Sequence, residues 1–230
     1  MPNPVQRLGE ITTQLASAAE ANGRAPASVR LLAVSKRQSV AEVRALAAAG
    51  QRAFGENYLQ EALPKLDALR SAGLEWHFIG RIQRNKTRDI AARFDWVHTI
   101  DRLEIAERLA RQRPAELGPL QCLIEVNVSG EASKGGVAPE DVPGLASAVR
   151  GLPGLVLRGL MALPAPVEDF DAQRLGFRRL REALAALPAP PLDTLSMGTS
   201  ADFAAAIAEG STLVRIGTAL FGERREPARG

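Results

Sequence analysis

Of the 29 basic residues in this chain, 25 are Arg and only four are Lys: Lys36, Lys65, Lys86 and Lys134. The difference is chemical. A guanidinium stays protonated at any ordinary pH, whereas an amine can lose its proton and attack a carbonyl carbon. Lys36 closes a short apolar run, Leu31-Leu32-Ala33-Val34-Ser35. A lysine at the end of a buried strand has its stem in the core and its amine partly desolvated, which lowers its pKa and frees the lone pair. The competing reading is a lysine that snorkels from a strand end to water. Spacing alone leaves both open.

Two later segments suit an anion. They are Ser196-Met197-Gly198-Thr199-Ser200-Ala201-Asp202 and Arg215-Ile216-Gly217-Thr218. Small residues between a strand and a helix let backbone N–H groups converge, and a helix start adds a favourable dipole. Ser, Thr or Asp ahead of a helix is also the ordinary way to cap one. Other chemistries find less support. The two histidines, His77 and His98, have no partner at metal-ligand spacing and read as satisfied core or mouth residues. No nucleophile elbow accompanies a Ser-His-Asp set. Cys122 sits inside an apolar run and reads as packing. The basic run at residues 81–88 lacks interleaved aromatics and reads as a solvated helix start rather than a nucleic-acid site.

Short apolar runs alternate with amphipathic stretches along the whole chain. A helix at residues 4–21 carries Val5, Leu8, Ile11, Leu15 and Ala19 at helical spacing and stops at Asn22-Gly23. After it come apolar runs at residues 31–35, 52–55, 75–79, 96–100, 121–128, 155–162, 192–196 and 213–216. The helices that follow them are expected near residues 39–49, 58–69, 85–94, beyond Asp101, 139–150, 170–187, 201–208 and 219–221. Ser39-x-x-Glu42 is a capping box, and Asp101 with Glu104 suggests another cap. Eight strand–helix units after one extra helix predict a single α/β domain, a (β/α)8 TIM-type barrel spanning residues 1–230. A doubly wound open sheet is the alternative. In a barrel, Lys36, Glu56, Asn57, Gly80, Arg81, Asn127, Ser129, Met161 and the two anion segments all fall at the C-terminal ends of strands, where ligands bind. The anion segments follow strands seven and eight, a frequent phosphate position.

Composition agrees with an ordinary globular protein: 230 residues, 46% hydrophobic and 24% charged, with a net charge of +3 that is scattered along the chain. No apolar stretch reaches the roughly 18 residues of a membrane span. The first residues show no apolar signal core, and the single cysteine excludes an intrachain disulfide. A cytoplasmic protein is expected, with no membrane or nucleic-acid partner. The absence of a long apolar surface stripe predicts a monomer.

Eight motifs then add a resemblance. Leu32-Ala-Val-Ser-Lys36, Phe54-Gly-Glu-Asn-Tyr58, Trp76-His-Phe-Ile-Gly80, Gln83-x-Asn-Lys86, Val126-Asn-Val-Ser-Gly-Glu131, Arg158-Gly-Leu-Met161, Ser196-Met-Gly198 and Arg215-Ile-Gly-Thr218 occur in this order. Together they resemble the pyridoxal phosphate homeostasis protein family over nearly the whole chain. The resemblance implies a barrel like the N-terminal domain of alanine racemase, without that enzyme's second β domain. It implies pyridoxal 5'-phosphate held as a Schiff base on Lys36. It places Ser200, Gly217 and Thr218 at the phosphate, Arg215 at the ring or phosphate, Met197 in the same site, and Asn57 and His77 along the mouth. Two departures stand out: Arg37-Gln38-Ser39 where a Thr and a Pro are more usual, and Thr199 where a Met is common.

Family members look like carriers or regulators of vitamin B6 supply, and apo-enzymes are the implied recipients. The residues themselves point the same way. Amino-acid chemistry needs a base on a defined face of the cofactor, and racemisation needs one on each. Beyond Lys36, the single Tyr58 and single Cys122 leave few candidates. An Arg at the pyridine nitrogen would also weaken the electron sink. Two other classes share the same residues: a small racemase or decarboxylase, and a cofactor-free barrel enzyme whose Lys36 attacks a sugar carbonyl.

Overall fold

A computed structural model describes residues 3–131 and 134–222. Its strands are β1 (Arg30–Val34), β2 (Ala53–Glu56), β3 (Glu75–Phe78), β4 (Trp96–Ile100), β5 (Leu120–Glu125), β6 (Leu155–Met161), β7 (Thr194–Ser196) and β8 (Leu213–Ile216). All eight pair in parallel with their sequence neighbours, and β8 returns to β1, closing the barrel. The helices are α1 (Pro4–Ala21), α2 (Val40–Ala48), α3 (Leu59–Ala68), α4 (Thr87–Arg93), α5 (Leu103–Gln112), α6 (Val142–Arg150), α7 (Phe170–Ala185), α8 (Phe203–Ala208) and α9 (Thr218–Phe221). The expected barrel with an extra N-terminal helix is the architecture found, and the open sheet is excluded.

Local chemistry explains most element ends. Asn3 caps α1 in a reciprocal pair with Gln6, and Ser39 does the same for α2 with Glu42. The cap expected from Asp101 does not form. Arg102 holds its carboxylate at 2.6 Å, and α5 starts after Arg102 without a side-chain cap. The fifth strand is also shorter than its apolar run. After Glu125 the chain folds back, and Val126 makes an isolated bridge to Val137. The Val126 and Asn127 N–H groups explain the turn: Val126 N–H donates to the Met161 carbonyl of β6, whereas Asn127 N–H donates to the Val137 carbonyl.

The main core lies between sheet and helices, where Phe54, Phe94, Phe177, Leu46, Ile90, Ile105 and Leu109 are fully buried. Inside the barrel are two small apolar groups, Leu32–Ala53–Leu213 and Trp96–Leu123–Met161. Buried polar side chains His77, His98, Ser196 and Arg215 occupy the space alongside them. Closing eight strands this tightly needs bare backbone at close contacts. A Cβ on Gly159 of β6 would lie 1.8 Å from the Thr194 carbonyl oxygen of β7.

A paired substitution tests that packing. Gly159→Ala should lower the unfolding free energy by about 1–3 kcal/mol, as overpacking does. Gly144→Ala on α6 meets nothing within 4 Å and should raise it by about 0.5–1 kcal/mol through helix propensity. Urea melts of the two variants check both signs.

Candidate functional site

The C-terminal ends of the strands begin with a fixed platform for Lys36. Ser35, the residue before it, is fully buried, and its polar atoms are all engaged. Its N–H donates to Gly55, and its hydroxyl donates to Glu56 Oε1 at 2.6 Å. Its carbonyl accepts from Lys65 Nζ at 2.7 Å and from Gln38 N–H at 3.0 Å. Lys65 Nζ also pairs with Glu56 Oε1 at 2.7 Å. Two adjacent strands and α3 are thus tied together directly beneath Lys36. Arg37 then takes a positive φ of 61°, rare for a side chain of its size, and its N–H donates to Glu61. That sharp turn lifts the chain off β1 and leaves Lys36 half-buried at the strand end.

Next to this platform lies the end of β8. A Cβ on Gly217 would stand 3.4 Å from the Cβ and carbonyl oxygen of Val34. Gly217 therefore brings the loop after β8 against the strand that carries Lys36. The loop after β7 joins them: Ala219 N–H of α9 donates to Ser200 Oγ at 3.3 Å. Thr199, one of the two departures, keeps that loop in shape, its N–H and hydroxyl both donating to Asp202 Oδ1. Gly198 has φ +96°, and a Cβ there would lie 2.7 Å from Ala206 Cβ. Thr218 is exposed at the start of α9.

Arg215 is the charged centre of the interior. Its Nη1 donates to Ser196 O at 2.6 Å and Ser196 Oγ at 2.8 Å, and its Nη2 donates to Ala162 O at 2.9 Å. Burial pulls its pKa down to about 10, opposed by the charges of Asp202 and Glu125, so it remains a cation at neutral pH. Asn57, after β2, has a buried side-chain oxygen with no hydrogen-bond partner. Gly80 crowds the backbone of Asn57: a Cβ would lie 2.0 Å from its carbonyl oxygen.

Three expected positions change. His77 does not line the mouth. It is fully buried in the interior, bonded to His98 and to Glu75 at the first residue of β3, the end away from the mouth. Met197 is fully buried, with its side chain in the core between sheet and helices. Glu56 points outward to Lys65 on α3, because strand alternation sends its side chain opposite to Gly55. Asn127 is spent on its own loop, accepting from Gly130 N–H and donating to Glu131 O.

A family model described as alanine racemase, N-terminal domain, matches residues 13–225. A relative from Pseudomonas aeruginosa, named pyridoxal phosphate homeostasis protein, is 58% identical over 224 residues and covers 97% of each chain. One of the same name from Escherichia coli K12 is 49% identical over 229 residues, with 97% of this chain and 98% of that one aligned. The chain belongs to the pyridoxal phosphate homeostasis protein family. Among solved structures, PipY of Synechococcus elongatus with pyridoxal phosphate bound has a TM-score of 0.83 at 35% identity, covering 96% of this chain and 100% of that one.

The residues at the mouth fit such a group. They supply an amine on a rigid strand end, an unspent amide oxygen, a buried cation and two small-residue loops in contact. Sequence reasoning missed Lys65 and Glu125 as parts of this region. Lys65 lies in an ordinary helical pattern, and nothing local tells that its amine reaches the β1 end. Glu125 ends β5, where a Cβ on Gly135 would lie 3.1 Å from its Oε2. Burial and Asp101 raise its pKa, while Arg215 opposes the shift.

The platform makes a sharp prediction. Burial raises the Glu56 pKa, and Lys65 opposes that rise. Lys65→Met should destabilise the fold by about 3–5 kcal/mol at neutral pH by stranding a buried charge. Without Lys65, Glu56 has a still higher folded pKa, so the loss should grow as pH rises above its unfolded value near 4.5. Stability curves of wild type and variant at pH 4.5 and 8 should diverge; parallel curves would contradict the pairing.

Proposed function

We propose that this protein binds pyridoxal 5'-phosphate at the barrel mouth, with Lys36 Nζ as covalent anchor, and acts in vitamin B6 homeostasis as a carrier or regulator without turnover. The observation that carries the reading is the contact between Gly217 and Val34. It sets the strand bearing the amine against the strand leading into the anion loops. The bound PipY relative and the named relatives support the same ligand.

When bound, this cofactor supplies an aldehyde carbon for an amine and a conjugated ring that can accept electrons. The chain's own residues divide the remaining work. Ser35, held by Gly55, Glu56 and Lys65, fixes where Lys36 begins. Ser200, Gly217 and Thr218 receive the phosphate on the two late loops. Asn57 offers its unspent oxygen to a donor such as a ring hydroxyl.

Arg215, cationic at neutral pH, cannot accept a proton from a ring nitrogen, and a cation facing that nitrogen disfavours its protonation. The electron sink is then weak, which favours holding the cofactor over turning substrates. The side chains considered as a second base are poorly suited to it. Tyr58 is half exposed, and burial pushes the Cys122 thiol up to about 12. Apo-enzymes are the proposed recipients, and the proposed setting is a monomer in the cytoplasm. No described helix is long and apolar enough to cross a membrane.

Purified protein given pyridoxal phosphate should turn yellow and bleach with borohydride, with the added mass on the peptide carrying Lys36. Lys36→Ala should lose the colour while keeping its circular dichroism. Ser200→Ala should keep the colour but bind about 10–150-fold more weakly, the cost of one charge-assisted hydrogen bond. A colourless wild type, unmodified after reduction, would overturn the reading.

A further inference from the structure

One feature of the interior takes no part in the platform or the loops. A continuous line of hydrogen bonds runs through the barrel from Arg215 near the mouth to the opposite face. Arg215 Nη1 lies 2.8 Å from Ser196 Oγ, which lies 3.1 Å from His98 Nδ1. His98 Nε2 is 2.9 Å from His77 Nδ1, and His77 Nε2 is 2.7 Å from Glu75 Oε1. Glu75 in turn pairs with Arg30 at 2.5 Å. Both residues line an open depression of about 490 Å³ on the face away from the mouth, together with Asp95, Trp96, Arg113 and Arg158.

The chemistry of the two ends sets the direction of the line. A guanidinium can only donate, and an ionised carboxylate can only accept. Ser196 Oγ therefore accepts from Arg215 and gives its own proton to His98 Nδ1. His98 Nε2–H then donates to His77 Nδ1, and His77 Nε2–H donates to Glu75. Each internal member accepts once and donates once, so the arrangement is complete with both imidazoles neutral. The electrostatics agree. Burial lowers the pKa of both rings, most strongly His98, which also faces His77 and Arg215. The hydrogen bonds from His77 and Arg30, with the Arg30 charge, hold Glu75 below the ordinary carboxylate range, against its burial. His77 is also clamped by stacking on Trp96, with ring centroids 5.3 Å apart.

We propose that Glu75, His77, His98 and Ser196 form a one-way hydrogen-bond relay that orients Arg215, so that Glu75, on the far face, is a positioning residue for the mouth. The part of this that concerns the cofactor rests on the pyridoxal phosphate reading above; the relay itself does not. Removing the acceptor at Glu75 has a definite consequence. His77 Nε2–H loses its partner, while the released Arg30 guanidinium favours a bare lone pair at that nitrogen. Both rings then reverse: His77 Nδ1–H donates to His98 Nε2, and His98 Nδ1–H donates to Ser196 Oγ. Ser196 now receives two donors, and the hold on Arg215 changes at the other end of the barrel.

The chain has only two histidines, so long-range proton–nitrogen spectra of the full-length, cofactor-free protein at pH 7 read the relay directly. Wild type and Glu75→Gln, whose amide oxygen still accepts, should show both rings protonated at Nε2. Glu75→Leu should show both protonated at Nδ1. A wild-type ring protonated at Nδ1, or unchanged rings in Glu75→Leu, would overturn the relay. Titration with pyridoxal phosphate then tests positioning: affinity should fall at least fivefold in Glu75→Leu and stay within twofold of wild type in Glu75→Gln. Equal affinity in all three, with the expected tautomers, would overturn the positioning role. A wild type that takes up no pyridoxal phosphate defeats the functional reading, and the tautomers still decide the relay.

Discussion

Pairing of β1 with β8 is the contact on which the site depends. Four residue pairs, from Arg30 opposite Leu213 to Ala33 opposite Ile216, close the sheet on itself. Without closure, the first and last strands would be sheet edges, with Lys36 and the β8 loop on opposite sides of the molecule. With it, Gly217 rests on Val34 and the two late loops meet at the amine's strand. Closure also removes the exposed edges that invite aggregation, since every strand finds a partner on both sides.

The closed interior is too polar to be a plain apolar core. Leucines and a methionine fill part of it, and four polar side chains fill much of the rest. Burying such groups is costly unless each donor and acceptor is matched, and a matched line is correspondingly rigid. The arrangement from Arg215 to Glu75 meets that condition with neutral imidazoles. The Ser35–Glu56–Lys65 cluster meets it only at Glu56 Oε1, which takes a hydroxyl and an ammonium between sheet and helix, while Glu56 Oε2 is buried without a partner. Both devices end at the mouth, one under Lys36 and one at Arg215. Such stiffness suits the proposed carrier role, in which Lys36 and Arg215 would stay in place while a ligand comes and goes.

Much of this was legible from residue order. Apolar runs of four to eight residues and intervening helical spacing predict eight parallel strands, because a strand buried on both faces has no polar alternation to display. The bounds of α1, β4 and β8 agree with the pattern, since Asn3, Asn22-Gly23 and the flanking loops mark them locally. Asp101 misled as a cap because a neighbouring Arg102 competes for its carboxylate, a contest no spacing rule records. His77 misled as a mouth residue because a strand's register decides how deep a side chain sits, and register is not written in a motif.

The sequence by itself determined the class of fold, the order of the strands, the lysine at the end of the first and the small-residue loops after the last two. These follow from short-range preferences: burial, periodicity, capping and the chemistry of single residues. Only the tertiary structure decided that Lys65 reaches under Lys36, that Glu56 turns away from the mouth, and that two histidines join Arg215 to Glu75. Those are contacts between residues up to 98 positions apart. They exist because barrel closure brings inward-facing positions of different strands to one axis, where hydrogen-bond partners must be found among whatever the other strands supply.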